Sequence, residues 1–360
     1  MQASALNYIA LAVPAMLGLI AAEAFVAARL GRRVYRPAAA MSDIACGIVQ
    51  QLSMMFLRGV LAGAYAFVFL RFRLVTFAPG SPWPWLIGFL GLDFMHYWWH
   101  RASHRVNFLW AAHVVHHQSE DFNLAVSLRH SVFTPITALP FYLPLAIAGI
   151  PPHVYAAAHA AVVLYQFWVH TELVARLPRV ERLLVTPSVH RVHHALNGPY
   201  LDRNFGGVLT VWDRLFGTYR AEDEAPVYGS SEGLDTFDPL RVQVAPFARL
   251  ALRASRLQAL GDRLAVWLRG PEWRAAAEKG AGRGYGERPS AKYDPKTSRA
   301  RLRAAWAVFG VALGATVVVM LLRPRIPLSA LYGVAPVIAA LLALALATAS
   351  SPPRVRASLR

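Results

Sequence analysis

Apolar residues fall into long uncharged runs separated by short stretches rich in arginine. Residues 6–22, 131–152, 304–322 and 326–353 form such runs. Each approaches or exceeds the ~17–20 residues needed to cross a hydrocarbon core. Shorter or interrupted runs cover 44–70 (broken by Arg58), 83–92 and 154–169. The pattern predicts an all-α, polytopic membrane bundle of roughly five to seven apolar helices. Residues 6–22 also resemble a signal peptide, since Ala22-Glu23-Ala24 has the form of a cleavage site. No basic residue precedes that run, however, and Arg29, Arg32 and Arg33 follow it, which favours a retained helix with a positive flank.

The same pattern divides the chain into four zones. Residues 1–75 are N-terminal membrane helices. Residues 76–220 interleave apolar helices with all 13 histidines, as a catalytic domain would. Residues 221–300 are polar and punctuated by glycine and proline. Residues 301–360 hold two further apolar helices and a basic tail. Within the polar zone, residues 247–268 repeat apolar side chains at three- and four-residue steps with arginines between them. That is an amphipathic basic helix, suited either to the headgroup plane or to packing on a soluble face. The arginines at 29–36 predict a cytoplasmic loop after the first helix. With 131–169 as a helical hairpin, the histidine segments lie on the same side. Arg71 and Arg73 then sit on the opposite side, unless the second apolar segment is re-entrant, and the arginine count does not choose between the two.

Composition sharpens this picture. The chain is 56% hydrophobic and carries a net charge of +17. With this hydropathy the charge points to anionic headgroups rather than nucleic acid. Three lysines among 37 basic residues, with many alanines, suggest a GC-rich bacterial coding bias and hence a bacterial inner membrane. The single cysteine, Cys46, excludes an intrachain disulfide and a cysteine metal cluster.

The chemistry lies in a repeated figure, H-x-x-H-H, at His113, His116, His117 and again at His190, His193, His194. At this histidine frequency, chance gives the figure roughly 0.02 times per chain. On a helix, positions i, i+3 and i+4 share one face, so each triplet points one way. His100 and His104 form another i, i+4 pair. Imidazole is the commonest metal-binding side chain, and eight or nine rings exceed the four to six ligands of one ion and suit two. Iron, copper, nickel and zinc all accept imidazole. The position beside membrane helices implies a lipid substrate, and oxidising an unactivated C–H bond favours iron. His153 and His159 read as interface residues. His96, one turn before His100, can share its face, and His130 stays open. The carboxylates expected to orient the rings are Asp93, Glu120, Asp121, Glu172 and Asp202, with Asn197 and Asn204 as hydrogen-bonding alternatives. Trp98, Trp99, Trp110 and Trp168 read as interface anchors. The run GGVL at 206–209 is not a dinucleotide fingerprint, so electrons come from a separate donor.

The segments DFMHYWWHRASHRVNFLWAAHVVHHQSEDFNLAVSLRHS and HRVHHALNGPYLDRNFGGVLTVWDRLFGTY, with YQFWVHTELV and VYG, resemble the fatty acid hydroxylase / sterol desaturase superfamily. The nearest branch is that of alkylglycerol monooxygenase-like membrane proteins, and the resemblance covers roughly residues 85–230. It implies a non-haem diiron centre on the cytoplasmic side of the bundle. Its ligands would be His100, His104, His113, His116, His117, His170 (the middle histidine of the family pattern), His190, His193 and His194. It also implies O2 as co-substrate, an external electron donor such as a pterin or a cytochrome or reductase, and hydroxylation or desaturation of a membrane lipid. Two positions depart from the branch: Arg105 stands where it commonly has an acidic residue, and His130 where it commonly has glutamine. A carotenoid or sterol ring hydroxylase of the same fold is the alternative enzyme. A histidine-rich metal transporter or a haem protein would be the alternative from another class.

Overall fold

The computed structural model describes residues 8–233, 235–278, 285–287 and 291–350. Residues 6 and 7 of the first apolar run and the basic tail from 351 lie outside them. Every extended element is helical and, among the described residues, there is no strand, only two isolated bridges, Leu184–Leu209 and Ala195–Tyr228.

Twelve α-helices follow one another: α1 (Tyr8–Arg29), α2 (Pro37–Phe72), α3 (Trp83–Arg105), α4 (Asn107–His117), α5 (Thr134–Ile147), α6 (Pro152–Trp168), α7 (Pro187–His193), α8 (Val211–Leu215), α9 (Arg241–Ser255), α10 (Leu260–Leu268), α11 (Arg299–Leu322) and α12 (Leu328–Ala349). Four are long and apolar enough to cross a membrane: Ala12–Arg29 within α1, then α2, α11 and α12. The protein is an integral membrane protein. α11 and α12 pair and pack on α2, while α11 also meets α1. Their shared core runs from Met16 and Ile20 through Ile44, Ile48 and Leu52 to Phe309, Ile338 and Leu342.

α5 and α6 follow one another through a short turn and pack on α2 and α3 more than on each other; both are shorter than a bilayer is thick, 14 and 17 residues against about 20. Gly149, at φ +92°, turns the chain between them, and a Cβ there would stand 2.1 Å from the Val75 carbonyl. That close approach brings the end of α2 to the turn, where the Leu74 amide donates to the Ile147 carbonyl at 2.7 Å. α3 packs against both α5 and α6.

One alternative falls and one expectation is corrected. The second apolar segment is not re-entrant: α2 is one 36-residue helix through Arg58, roughly 54 Å long at 1.5 Å per residue. It exceeds the hydrocarbon thickness because its N-terminal part, around Ala39–Leu52, is packed inside the protein. The predicted amphipathic helix over 247–268 is instead two helices, α9 and α10, broken at residues 256–259. The break folds α10 back onto α9, so that Ala254, Leu257 and Val266 bury one another and both helices pack on α4.

Candidate metal centre

Histidines arrive from four directions at one end of the bundle. His100 and His104 close α3. His113, His116 and His117 lie on α4. His170 follows α6. His190 and His193 lie on α7, with His194 at its C-cap still in helical conformation. All nine rings are buried, none more than 6% exposed. One group gathers His100, His104, His113, His117 and His193, and a second gathers His116, His170, His190 and His194. Within each group the ligand atoms lie within 4.8 Å of one another.

Each H-x-x-H-H triplet therefore straddles the two groups. On α4 the i, i+4 pair His113 and His117 enters the first, while His116 enters the second. On α7 the i, i+4 pair His190 and His194 enters the second, while His193 enters the first. A helix face about 100° wide presents all three rings, and their adjoining edges serve neighbouring centres.

The tautomers follow from the hydrogen bonds. Nδ1 of His100 donates to the Phe205 carbonyl (2.9 Å), of His116 to Arg129 (3.0 Å), of His170 to Gln166 (2.7 Å) and of His193 to Arg203 (2.9 Å). A carbonyl only accepts, so in a neutral ring the proton sits on Nδ1 and Nε2 carries a lone pair. Burial, reinforced by neighbouring imidazoles, pushes His113, His116, His117, His190, His193 and His194 well below the ordinary histidine value. Burial likewise pushes His170 down to about 3. All are neutral at pH 7.

These rings then face each other without a proton to share. Nε2 of His116 and of His170 lie 3.2 Å apart although both rings have spent their proton on a carbonyl. Nε2 of His193, whose proton is on Nδ1, lies 3.2 Å from that of His117, a ring whose tautomer no carbonyl fixes, and Nε2 of His100 is buried with no partner. Converging lone pairs repel unless a cation lies between them. Separations of 3.0–3.2 Å between Nε2 atoms recur at His190–His170, His194–His190 and His117–His113. Such spacing brings the ring nitrogens of each group within reach of one cation. The donor set fits cations of the iron type at both groups.

The supports differ from those expected. Backbone carbonyls, rather than carboxylates, hold four of the rings. Of the expected acids only Asp202 faces a ring, with Oδ1 3.5 Å from His104 Nδ1, at the edge of hydrogen-bond reach. Burial raises the Asp202 pKa, but the His104 contact, Arg105 at 3.4 Å and the Tyr285 hydroxyl at 3.0 Å bring it below the usual carboxylate value. Asp93 accepts from the Val208 and Leu209 amides and Trp212 Nε1. Glu120 and Asp121 pair with Arg36, and Glu172 with Arg32. Asn197 and Asn204 brace backbone at 225–227 and at 189 and 220. Three of the carbonyls that hold rings come from loops laid against the helix ends and the fourth, of Gln166, from the last turn of α6. For Asp202→Asn we expect a loss of about 10–100-fold in metal affinity, read by competition with a chelator. An unchanged affinity would remove Asp202 from any role in orienting His104.

Two supports carry no obvious mark in the sequence. Asp213 accepts from the amides of Phe205 (2.7 Å) and Gly206 (2.8 Å), fixing the loop whose carbonyls hold His100 and His193. Gly207 lets that loop lie on α3 and α6, since a Cβ there would stand 2.9–3.0 Å from Gln166, His96 and Asp93. Asp213→Ala should lower stability by about 2–3 kcal/mol through the lost charged hydrogen bonds, measured by thermal unfolding in detergent. The other is Arg129, wholly buried, which donates to the Val115 carbonyl, Gln118, Ser42 and Asp43.

The remaining histidines stay outside both groups. His96 bonds Gln166 at 2.9 Å beneath His100, and His130 stacks on His116 at 5.1 Å between ring centres. His159 lies against Tyr142 and Tyr155, and His153 against Trp85. Two of the expected interface tryptophans instead belong to the site. Trp99 is 6% exposed and packs edge-on against His113, and Trp110 packs on His104 and His117. Trp110 also lines a cleft of about 340 Å³ with Val114, Ser230, Ser231, Glu232, Pro271, Arg274 and Tyr285. A small cavity at His104, His117, His193 and His194 shares Trp110, Ser230, Ser231 and Tyr285 with it, so the cleft adjoins the imidazoles.

Residues 85–218 match the fatty acid hydroxylase family model. The chain is 39% identical over 268 residues to the alkylglycerol monooxygenase of Homo sapiens, covering 74% of this chain and 60% of that protein. It is 39% identical over 233 residues to the alkylglycerol monooxygenase of Xenopus tropicalis, covering 65% and 52%. An ornithine lipid hydroxylase of Rhizobium tropici is 27% identical over 135 residues, 37% of this chain and 41% of that one. The chain thus spans a little over half the length of the alkylglycerol monooxygenases it matches. No solved structure matches.

Proposed function

Starting from a chain that carries a fatty acid hydroxylase domain and is related to alkylglycerol monooxygenases, we propose a membrane-embedded, iron- and O2-dependent monooxygenase acting on a lipid. The observation that carries this reading is the pair of adjoining imidazole groups whose Nε2 lone pairs converge. His100, His104, His113, His117 and His193 would hold one iron, and His116, His170, His190 and His194 the other. Bound there, non-haem iron supplies the redox chemistry that activates O2 toward an unactivated C–H bond.

The chain's own residues do the rest. The carbonyls of Phe205, Arg129, Gln166 and Arg203 keep four rings in the ligating tautomer. Trp99, Trp110 and Phe205 pack around the imidazoles and keep bulk water from them. The cleft beside Trp110 and Tyr285 admits the substrate, an alkyl, acyl or sterol lipid, with an ether-linked glycerolipid the first candidate by the relatives' names. Removing one hydrogen and returning a hydroxyl gives hydroxylation, and removing a second hydrogen gives desaturation. Electrons come from a separate donor, a reduced pterin or a cytochrome or reductase. Arg32 and Arg36, which pair with Glu172 and with Glu120 and Asp121, put the arginine-rich loop after α1 on the histidine side. By the positive-inside rule that side is the cytoplasmic face, of a bacterial plasma membrane.

A metal transporter would carry its ligands at mid-span. Here none of the nine rings lies on the four helices that are both long and apolar enough to span, and His100 and His104 sit in the last turns of α3. The test is anaerobic purification in detergent, metal analysis, and lipid oxidation under O2 with a supplied reductant. Stoichiometric zinc, or no metal after iron reconstitution, would sink the oxygenase reading.

A further inference from the structure

α9 and α10 carry apolar side chains on two faces, and the histidine domain needs only one. The inward face buries Val242, Ala254, Leu257 and Val266 against α4 and the neighbouring loops. The outward face of α10 holds Leu260, Leu264 and Leu268, at successive i, i+4 positions and 70%, 53% and 65% exposed. Val244 and Leu252 extend the exposed apolar surface along α9.

Three observations say what covers this face. The first is depth. Phe247 of α9 packs on Phe133, at the start of the apolar helix α5, and on the half-exposed Phe108 of α4. Gln243 meets the chain at His130 and Val132, directly before α5. The hairpin therefore sits where α5 enters the apolar layer, next to the exposed Ile136. The second is charge. Residues 241–271 hold six arginines and one acid, Asp262, and although Arg241, Arg249 and Arg253 pair with Asp235, Glu232 and Glu278, positive charge remains. Arg256, at the C-terminus of α9, and Arg269, at the C-terminus of α10, are exposed and make no ion pair among the described residues. Cationic ends around a leucine stripe complement an anionic headgroup layer over acyl chains. The third is continuity, because Phe247 of α9 joins Phe133, at the start of α5, to the exposed Phe108 of α4 in one run of aromatic contacts.

We propose that the α9–α10 hairpin is a membrane-interface element, with Leu260, Leu264 and Leu268 inserted among acyl chains and Arg256 and Arg269 on anionic lipid headgroups. Pro271 and Arg274, which follow α10 directly, line the cleft that adjoins the imidazoles. The hairpin thus sets the mouth of that cleft at headgroup depth, and a lipid enters it from the leaflet without crossing water. The proposal stands on the membrane placement alone and not on the oxidation chemistry.

The test uses the full chain in nanodiscs of phosphatidylcholine with or without phosphatidylglycerol. Leu264→Cys is labelled with a small fluorophore; the native Cys46 is wholly buried and stays silent. Val337→Cys on the exposed surface of α12 serves as the lipid control and Glu287→Cys as the water control. At 264, nitroxide lipids should quench about as strongly as at 337, and aqueous iodide several-fold less than at 287. Adding Arg256→Glu and Arg269→Glu should weaken the lipid quenching in discs containing phosphatidylglycerol and leave it unchanged in phosphatidylcholine alone. Quenching dominated by iodide, or by neither reagent, would overturn the membrane placement. Equal effects of the arginine changes in both discs would overturn the headgroup contact. Metal content measured on the same samples separates this failure from failure of the iron reading.

Discussion

Alanine at His193 and His194 together is expected to strip the purified protein of metal and to lower lipid oxidation by more than ~100-fold. Changes one shell further out already cost about 10–100-fold, and these rings would ligate directly. The two are neighbours in sequence but serve different centres, His193 the group of five and His194 the group of four. Their joint loss therefore damages both. Single changes should separate the centres. His117→Ala removes a ring of the first group and His170→Ala one of the second, so each should release about half of the bound iron. Metal analysis of protein purified anaerobically reads all three variants. If the double variant keeps the full complement of iron, the grouping is wrong.

Arg129→Met should destabilise the fold more than any other single change outside the metal groups, by about 3–5 kcal/mol. The guanidinium is 0% exposed. It lies 3.2 Å from Asp43 of α2 and donates to the Val115 carbonyl and Gln118 at the end of α4. Removing it leaves the buried Asp43 carboxylate without its cation and uncouples α4 from α2. Asp43→Asn in the same chain should recover part of the loss, because the uncompensated charge is then gone. Thermal unfolding in detergent measures both variants. Additive losses in the double variant would show that the pair is not coupled. The same change loosens the loop whose carbonyl holds His116 Nδ1, so bound iron should fall most in the second group.

Much of this was legible from local sequence, because it depends on local geometry. Uncharged runs of about 20 residues have few choices but helix, and α1, α11 and α12 appear where the runs predict them. The spacing H-x-x-H-H places three rings on one helix face by the 3.6-residue period, and α4 and α7 realise it. The nine rings singled out are the nine brought together.

What stayed hidden depends on groups far apart in sequence. Carboxylates looked like the natural supports for the rings, yet carbonyls at 129, 166, 203 and 205 do most of that work. A carbonyl occurs at every residue, so nothing in the side-chain pattern marks the one that matters. Trp99 and Trp110 read as interface residues because a tryptophan near an apolar run usually is one. Only the packing of α3 on α4 turns them toward the imidazoles. The break between α9 and α10 has no proline or glycine at 256–259 to announce it. It forms because folding back buries apolar surface on both helices.

The sequence by itself determined that this is a helical membrane protein, placed α1, α11 and α12, and put each H-x-x-H-H triplet on one helix face. Each of those follows from hydropathy or from a period of a few residues, whereas His170 was marked only by the family pattern. The tertiary structure decided how nine imidazoles divide into five and four, which nitrogen four of them leave open, and where the cleft reaches them. Those depend on α3, α4, α7 and the chain after α6 meeting at one end of the bundle, with rings up to 93 residues apart, His100 and His193, only 4.2 Å between ring centres.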